Sequence, residues 1–172
     1  MNVGALLRTA YFLKCEKVVI CTKNSSPLSP TVSKASAGAL ELMDIYSVRN
    51  LMRFLDKSKE NGWQVVGTAL NKDSINISDM KLDKPTILVL GNEGRGIRTN
   101  ILNRCDILVK VIYLQNLFVI HFHFAKVLFP QVLGDSDATQ LGDSVVDSLN
   151  VSVTGGIMMH HILTGGMKSK KN

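Results

Sequence analysis

Thr86-Ile87-Leu88-Val89-Leu90 runs without a break into Gly91-Asn92-Glu93-Gly94-Arg95-Gly96. An apolar run ending in a glycine-rich turn predicts a buried strand and a tight connection to a following helix. At the carboxyl end of a parallel strand, such a turn aims backbone N–H groups at a ligand. The glycine spacing is G-x-x-G-x-G. That is not the dinucleotide pattern G-x-G-x-x-G, nor a P-loop with its Lys-Ser/Thr pair. Glu93 inside the turn disfavours a phosphate and tolerates a cationic ligand. The same residues also fit an ordinary strand-to-helix turn.

Outward from this stretch, strands and helices alternate. Residues 17–21 (KVVIC), 45–48, 63–69 (WQVVGTA) and 107–112 predict strands. Apolar spacing predicts helices over 2–13, 32–42 and 48–61, one after Gly96 to about Asn103, and one over 148–162. Gly38 falls in the second of these, at an expected point of close packing. Residues 23–31 and 71–84 are polar and predict loops. The strands are continuous apolar runs, which suits burial on both faces. The pattern predicts an α/β fold, a mostly parallel sheet with helices on both faces.

The length of 172 residues suits one domain. A hydrophobic fraction of 45% with 20% charged residues is globular and excludes a disordered or low-complexity chain. The net charge of +6 suits a polyanionic partner such as RNA. Cys15, Cys21 and Cys105 are too few and too irregular for a disulfide framework or a metal-ligand pattern, and fit a reducing compartment. No secretory signal or mitochondrial presequence is evident at the N-terminus. The stretch 111–133 is strongly apolar, yet Lys126, two histidines and Pro130 argue against a membrane span. His121 and His123 alternate with phenylalanines and lack a third ligand, so no metal site is expected.

Two more segments carry chemistry. Ser148-Leu149-Asn150-Val151-Ser152-Val153 has the Ser and Asn of a helix N-cap at the mouth of an apolar run, and capping alone would explain it. In Asn2, Gly4 and Arg8, the arginine is the one charge in an otherwise apolar stretch. It calls for a carboxylate or a ligand anion, or else it snorkels to the surface.

Together these segments resemble the SpoU branch of the SPOUT RNA methyltransferases. Asn2, Gly4, Ala5, Arg8 and Ala10 match a first motif N-x-G-A-x-x-R-x-A. Leu90, Gly91, Asn92, Glu93, Gly94 and Gly96 match L-G-N-E-G-x-G. Ser148 to Val153 match S-L-N-V-S-V, and residues 33–39 are similar to the family's K-A-S-x-G-A stretch. The wording of 33–44 and 88–94 is most similar to the branch that methylates a guanosine 2′-hydroxyl of mitochondrial large-subunit rRNA.

The resemblance implies a C-terminal deep trefoil knot, a bound S-adenosyl-L-methionine, a ribosomal RNA substrate, a homodimer formed through the knot region and a mitochondrial matrix location. It assigns cofactor contacts to Gly91, Asn92 and Gly94, with Val111 and Leu149 flanking the adenine. It assigns Arg8 to the reacting ribose or its phosphate, Ser148 and Asn150 to orienting the hydroxyl, and Asn2 and Glu93 to bracing the site. The implied catalytic domain is 1–166, followed by a basic tail, 167–172. Two departures are expected. The family's first strand, with its Asp-Pro-x-Asn-x-Gly lead-in, and its N-terminal RNA-binding domain are missing before Asn2, and an apolar insertion occupies about 112–138. An alternative expectation is therefore a truncated or alternatively spliced, non-catalytic RNA-binding or dimerisation module of the same family.

Overall fold

Short β-branched runs form the strands, and apolar residues at helical spacing form the helices between them. The computed structural model describes residues 2–23, 25, 27–92, 95–111 and 149–168. Along the chain come α1 (Asn2–Phe12), β1 (Val18–Cys21), α2 (Pro30–Ser36), α3 (Ala39–Leu42), β2 (Ile45–Val48) and α4 (Leu51–Glu60). They are followed by β3 (Gln64–Thr68), β4 (Ile75–Asn76), a 3₁₀ turn (Ile77–Asp79), β5 (Thr86–Val89), α5 (Thr99–Leu102), β6 (Ile107–Lys110) and α6 (Val151–Lys168).

Every strand pairing in the described sheets is parallel. β3 is flanked by β5, with Val65 opposite Ile87, and by β6, with Gly67 opposite Leu108. β4 extends this sheet beyond β6, giving the order β4-β6-β3-β5. β1 and β2 form a separate pair with Val18 opposite Ile45. The expected sheet is thus parallel but divided, because no described strand hydrogen-bonds to members of both groups.

Adjacent residues of a strand point to opposite faces, and β3 shows this plainly. Val66 packs with Ile77, Met80, Val109 and Met158, so α6 and the 3₁₀ turn cover one face. Val65 packs with Leu55 and Ile101, so α4 and α5 cover the other. Leu55, Val65, Val66 and Val109 are fully buried, each contributing about 1.5–3 kcal/mol of transfer free energy. Helices on both faces explain why β3 reads as an unbroken apolar run.

Three local expectations are corrected. The helix expected over 32–42 is two helices, broken at Ala37 and Gly38, whose φ values are 50° and 88°. Gly38 is not a point of close packing, since a Cβ there would meet nothing within 4 Å. It serves the left-handed turn. The close approach lies at Gly4, where a Cβ would come 2.6 Å from Ala35 Cβ, so α1 rests on α2. The loop expected over 71–84 contains β4 and the 3₁₀ turn, because Ile77 and Met80 are buried and anchor an otherwise polar run. The last helix runs past Ile162 to Lys168.

The path from 112 to 148, on which the expected knot depends, lies outside the described residues. So do the insertion at about 112–138, His121 and His123, and the end of the basic tail at 169–172. Among the described residues no helix is long and apolar enough to cross a membrane, and no group of three or more His, Cys, Asp or Glu is placed to hold a metal. Cys15, Cys21 and Cys105 are free thiols. Burial, with the Asp106 charge beside it, pushes the Cys105 thiol up to about 11.

Candidate active site

Asn150 stands one residue before α6 and caps it. Its Oδ1 accepts from the Ser152 backbone N–H at 2.8 Å and from Ser152 Oγ at 2.6 Å, satisfying a donor that the first helical turn would leave unpaired. The same carboxamide reaches across the fold. Its Nδ2 donates to Asn2 Oδ1 at 3.1 Å. The first and third sequence motifs, 148 positions apart, thus meet through a side-chain hydrogen bond.

The second motif arrives by packing. A Cβ on Gly155 would lie 2.5 Å from Leu6 Cδ2 and 2.9 Å from Leu90 Cδ1. The missing carbon leaves room for the Leu6 and Leu90 side chains to pack on α6 together. Immediately beyond Leu90, the turn closes on itself. Asn92 and Gly96 exchange backbone hydrogen bonds of 2.9 and 2.7 Å. A Cβ on Gly91 would lie 2.5 Å from the Gly96 carbonyl carbon, so the tight backbone cradle requires glycine there. Because β3, β5 and β6 are parallel, Gly91 and Val111 both follow carboxyl ends of strands and share one edge of the sheet. Val111 is half-buried against the core beneath α6, and Leu149 is half-buried just ahead of the cap.

Arg8 is exposed on α1, with no carboxylate within ion-pair distance among the described residues. It lines a hollow of about 340 Å³ with Thr9, Phe12, Leu13, Gly156 and His160. The sequence did not single out the last five. The signal was present in the Gly155-Gly156 pair, which is poor helix material and is tolerated where another helix must come near. Thr9 Cγ2 comes within 3.5 Å of where a Gly156 Cβ would sit. Beside the hollow, Tyr11, Phe12, Val153 and Ile157 are exposed, Phe12 to 84%.

The structure therefore brings together Asn2, Asn150, Leu149, Gly91, Asn92 and Val111 around α6 and one sheet edge, with Arg8 two turns along α1 from Asn2. Glu93, Gly94 and Ser148 lie outside the described residues.

In a parallel α/β fold, a glycine turn at the carboxyl ends of the strands marks the edge at which such sheets bind ligands. Residues 1–117 match the SpoU rRNA Methylase family, and the chain belongs to that family. It is 38% identical over 174 residues to the mitochondrial rRNA methyltransferase 1 of Dictyostelium discoideum, covering 98% of this chain and 28% of that protein. It is 36% identical to the human mitochondrial rRNA methyltransferase 1, covering 94% of this chain and 41% of that one. The chain thus spans less than half the length of these relatives. Among solved structures, the fold is shared with an AdoMet-bound rRNA methyltransferase from Sinorhizobium meliloti (TM-score 0.70, 22% identity, 95% of this chain and 51% of that). It is also shared with the A. aeolicus TrmH/SpoU tRNA modifying enzyme (TM-score 0.69, 22% identity, 98% of this chain and 70% of that).

Proposed function

We propose that the chain is the catalytic portion of an S-adenosyl-L-methionine-dependent methyltransferase. Its substrate in this reading is a guanosine 2′-hydroxyl of mitochondrial large-subunit rRNA, modified in the mitochondrial matrix. The knotted C-terminal half and the homodimer of the family belong to the same proposal. The observation that carries it is the convergence at α6: Asn150 bonded to Asn2, and Leu6 and Leu90 closed over Gly155. Three segments distant in sequence meet at the edge where a parallel sheet binds ligands.

S-adenosyl-L-methionine supplies an electrophilic methyl group on a sulfonium. The residues present suit it. Gly91 lets the turn fold tightly onto the Gly96 and Ile97 backbone at the carboxyl ends of the strands, and the acidic Glu93 of its sequence suits a cationic ligand better than a phosphate. Asn92 and Gly94 belong to the same turn, and Val111 and Leu149 provide apolar walls for an adenine. Enclosure favours a step that dissipates charge.

The 2′-hydroxyl is a weak nucleophile until its proton leaves. Arg8 is a permanent cation that no described carboxylate neutralises, so it is available to the ribose phosphate or to developing oxyanion charge. Asn150, held by Asn2, and Ser148 orient the hydroxyl, and Asn2 and Glu93 brace the site. In the homodimer, the exposed Tyr11, Phe12, Val153 and Ile157 become covered.

The test is Arg8→Ala. We expect methyl transfer to large-subunit rRNA to be abolished while calorimetry still shows cofactor binding. Full activity in the variant overturns the assignment. Failure of the unsubstituted chain to bind cofactor favours the non-catalytic module instead.

A further inference from the structure

The amino ends of the same parallel strands form a second feature that the cofactor edge does not use. Trp63 immediately precedes β3, Asp106 immediately precedes β6 and Lys84 stands just before β5. With Lys59 from the last turn of α4, and with Gly62 and Gln64, they line a hollow of about 260 Å³. Its walls are fixed by backbone. The Trp63 N–H donates to Ser58 O at 3.0 Å, and the Gln64 N–H to Pro85 O at 2.8 Å.

The charges in the hollow are unequally committed. Lys59 Nζ pairs with Asp106 Oδ1 at 2.6 Å and donates to Arg104 O at 3.2 Å. Asp106 Oδ2 accepts the Val65 N–H at 2.8 Å. Burial pushes the Asp106 carboxyl up, but the Lys59 and Val65 hydrogen bonds and the Lys59 and Lys84 charges outweigh it, and the group stays ionised at neutral pH. Lys59 and Asp106 therefore neutralise each other. Lys84 is exposed and makes no ion pair within 4 Å among the described residues. Trp63 is 38% exposed, and Gln64 Oε1 is buried without a donor.

We propose that this hollow is a second RNA contact, in which a base of a single-stranded segment stacks on Trp63 and its phosphate meets Lys84. The proposal rests on the reading that the chain acts on RNA. A part-exposed indole beside an exposed lysine that holds no ion pair within 4 Å among the described residues suits a nucleotide's base and phosphate. A chain of net charge +6 adds long-range attraction for the same partner. Parallel strands put this contact at the edge opposite the cofactor turn, so an RNA can be gripped here without entering the reacting site.

Trp63 is the only tryptophan of the chain, so its fluorescence reports on the hollow directly. An unstructured oligoribonucleotide of about ten nucleotides should quench it saturably. By anisotropy of the labelled oligonucleotide, Trp63→Leu and Lys84→Gln should each raise Kd about tenfold. Cofactor affinity should be unchanged in both variants. Lys84→Gln alters only an exposed side chain, which keeps the test independent of any folding defect in the Trp63 variant. Three results overturn the proposal. One is RNA that is bound and methylated without quenching, which leaves the methyltransferase reading intact. Another is quenching by AMP with the affinity of the oligonucleotide, which assigns the hollow to free nucleotides. The third is equal quenching by inorganic polyphosphate, which reduces the contact to charge alone.

Discussion

Gly155 is where the largest consequence rests on the smallest side chain. A Cβ there collides with the side-chain ends of Leu6 and Leu90 at once, and both leucines must turn out of their packed positions to admit it. Gly155→Val should destabilise the fold by about 1–3 kcal/mol, read from the urea midpoint. It should also depress methyl transfer, because the motif helices are pushed apart. A wild-type midpoint would show that the packing relaxes and that the approach is not tight. At Gly38 the reason for glycine is different. Its left-handed φ serves a turn, and nothing is packed against it. Both are glycines near helices in the sequence, and only the neighbours distinguish sterics from backbone conformation.

At the scale of elements, α6 joins the parts of the site. Its cap residue has two separable jobs. Asn150 Oδ1 accepts from the helix N-terminus, and Nδ2 donates to Asn2. Asn150→Ala loses both, so it should cost about 1 kcal/mol of stability and impair catalysis. Asn150→Asp keeps a capping acceptor, which also suits the positive end of the helix dipole, but has no donor for Asn2. We expect near wild-type thermal unfolding and a large fall in kcat for the Asp variant. Normal kcat would show that the Asn2 bond does not position the site. The cap was legible from the sequence, since Ser and Asn before an apolar run announce a helix start. The partner of its other end was not, because a separation of 148 positions leaves no local trace of the contact. Of the strands read from sequence, β3 and β5 have side chains in both core clusters, on opposite faces of the sheet. The run over 71–84 misled because two apolar side chains, Ile77 and Met80, suffice to pin a polar segment into the core.

For the whole molecule, the exposed apolar residues beside Arg8 matter most. Phe12 at 84% exposure, with Tyr11, Val153 and Ile157, is costly to leave in water. If copies of the chain associate there, Phe12→Asp should shift the protein to monomer in analytical ultracentrifugation. Charge burial in the contact would then be unfavourable. An unchanged sedimentation coefficient would move the interface elsewhere. In the same frame, parallel strands separate the molecule into a carboxyl edge, with Gly91 and Val111, and an amino edge, with Trp63, Lys84 and Asp106. The proposed chemistry occupies one edge and the proposed second RNA grip the other.

The α/β class and the family were legible in the residues alone, because buried strands and glycine turns leave short-range patterns that survive without neighbours. It also named Asn2, Arg8, Gly91 and Asn150 as candidates. Packing settled that Asn150 bonds Asn2, that Leu6 and Leu90 lie against Gly155, and that Arg8 has no described carboxylate beside it. It alone put Trp63, Gln64 and Lys84 into one hollow. These are contacts between residues far apart in the chain. Side-chain sterics and hydrogen bonding create them only once the sheet has brought its helices together.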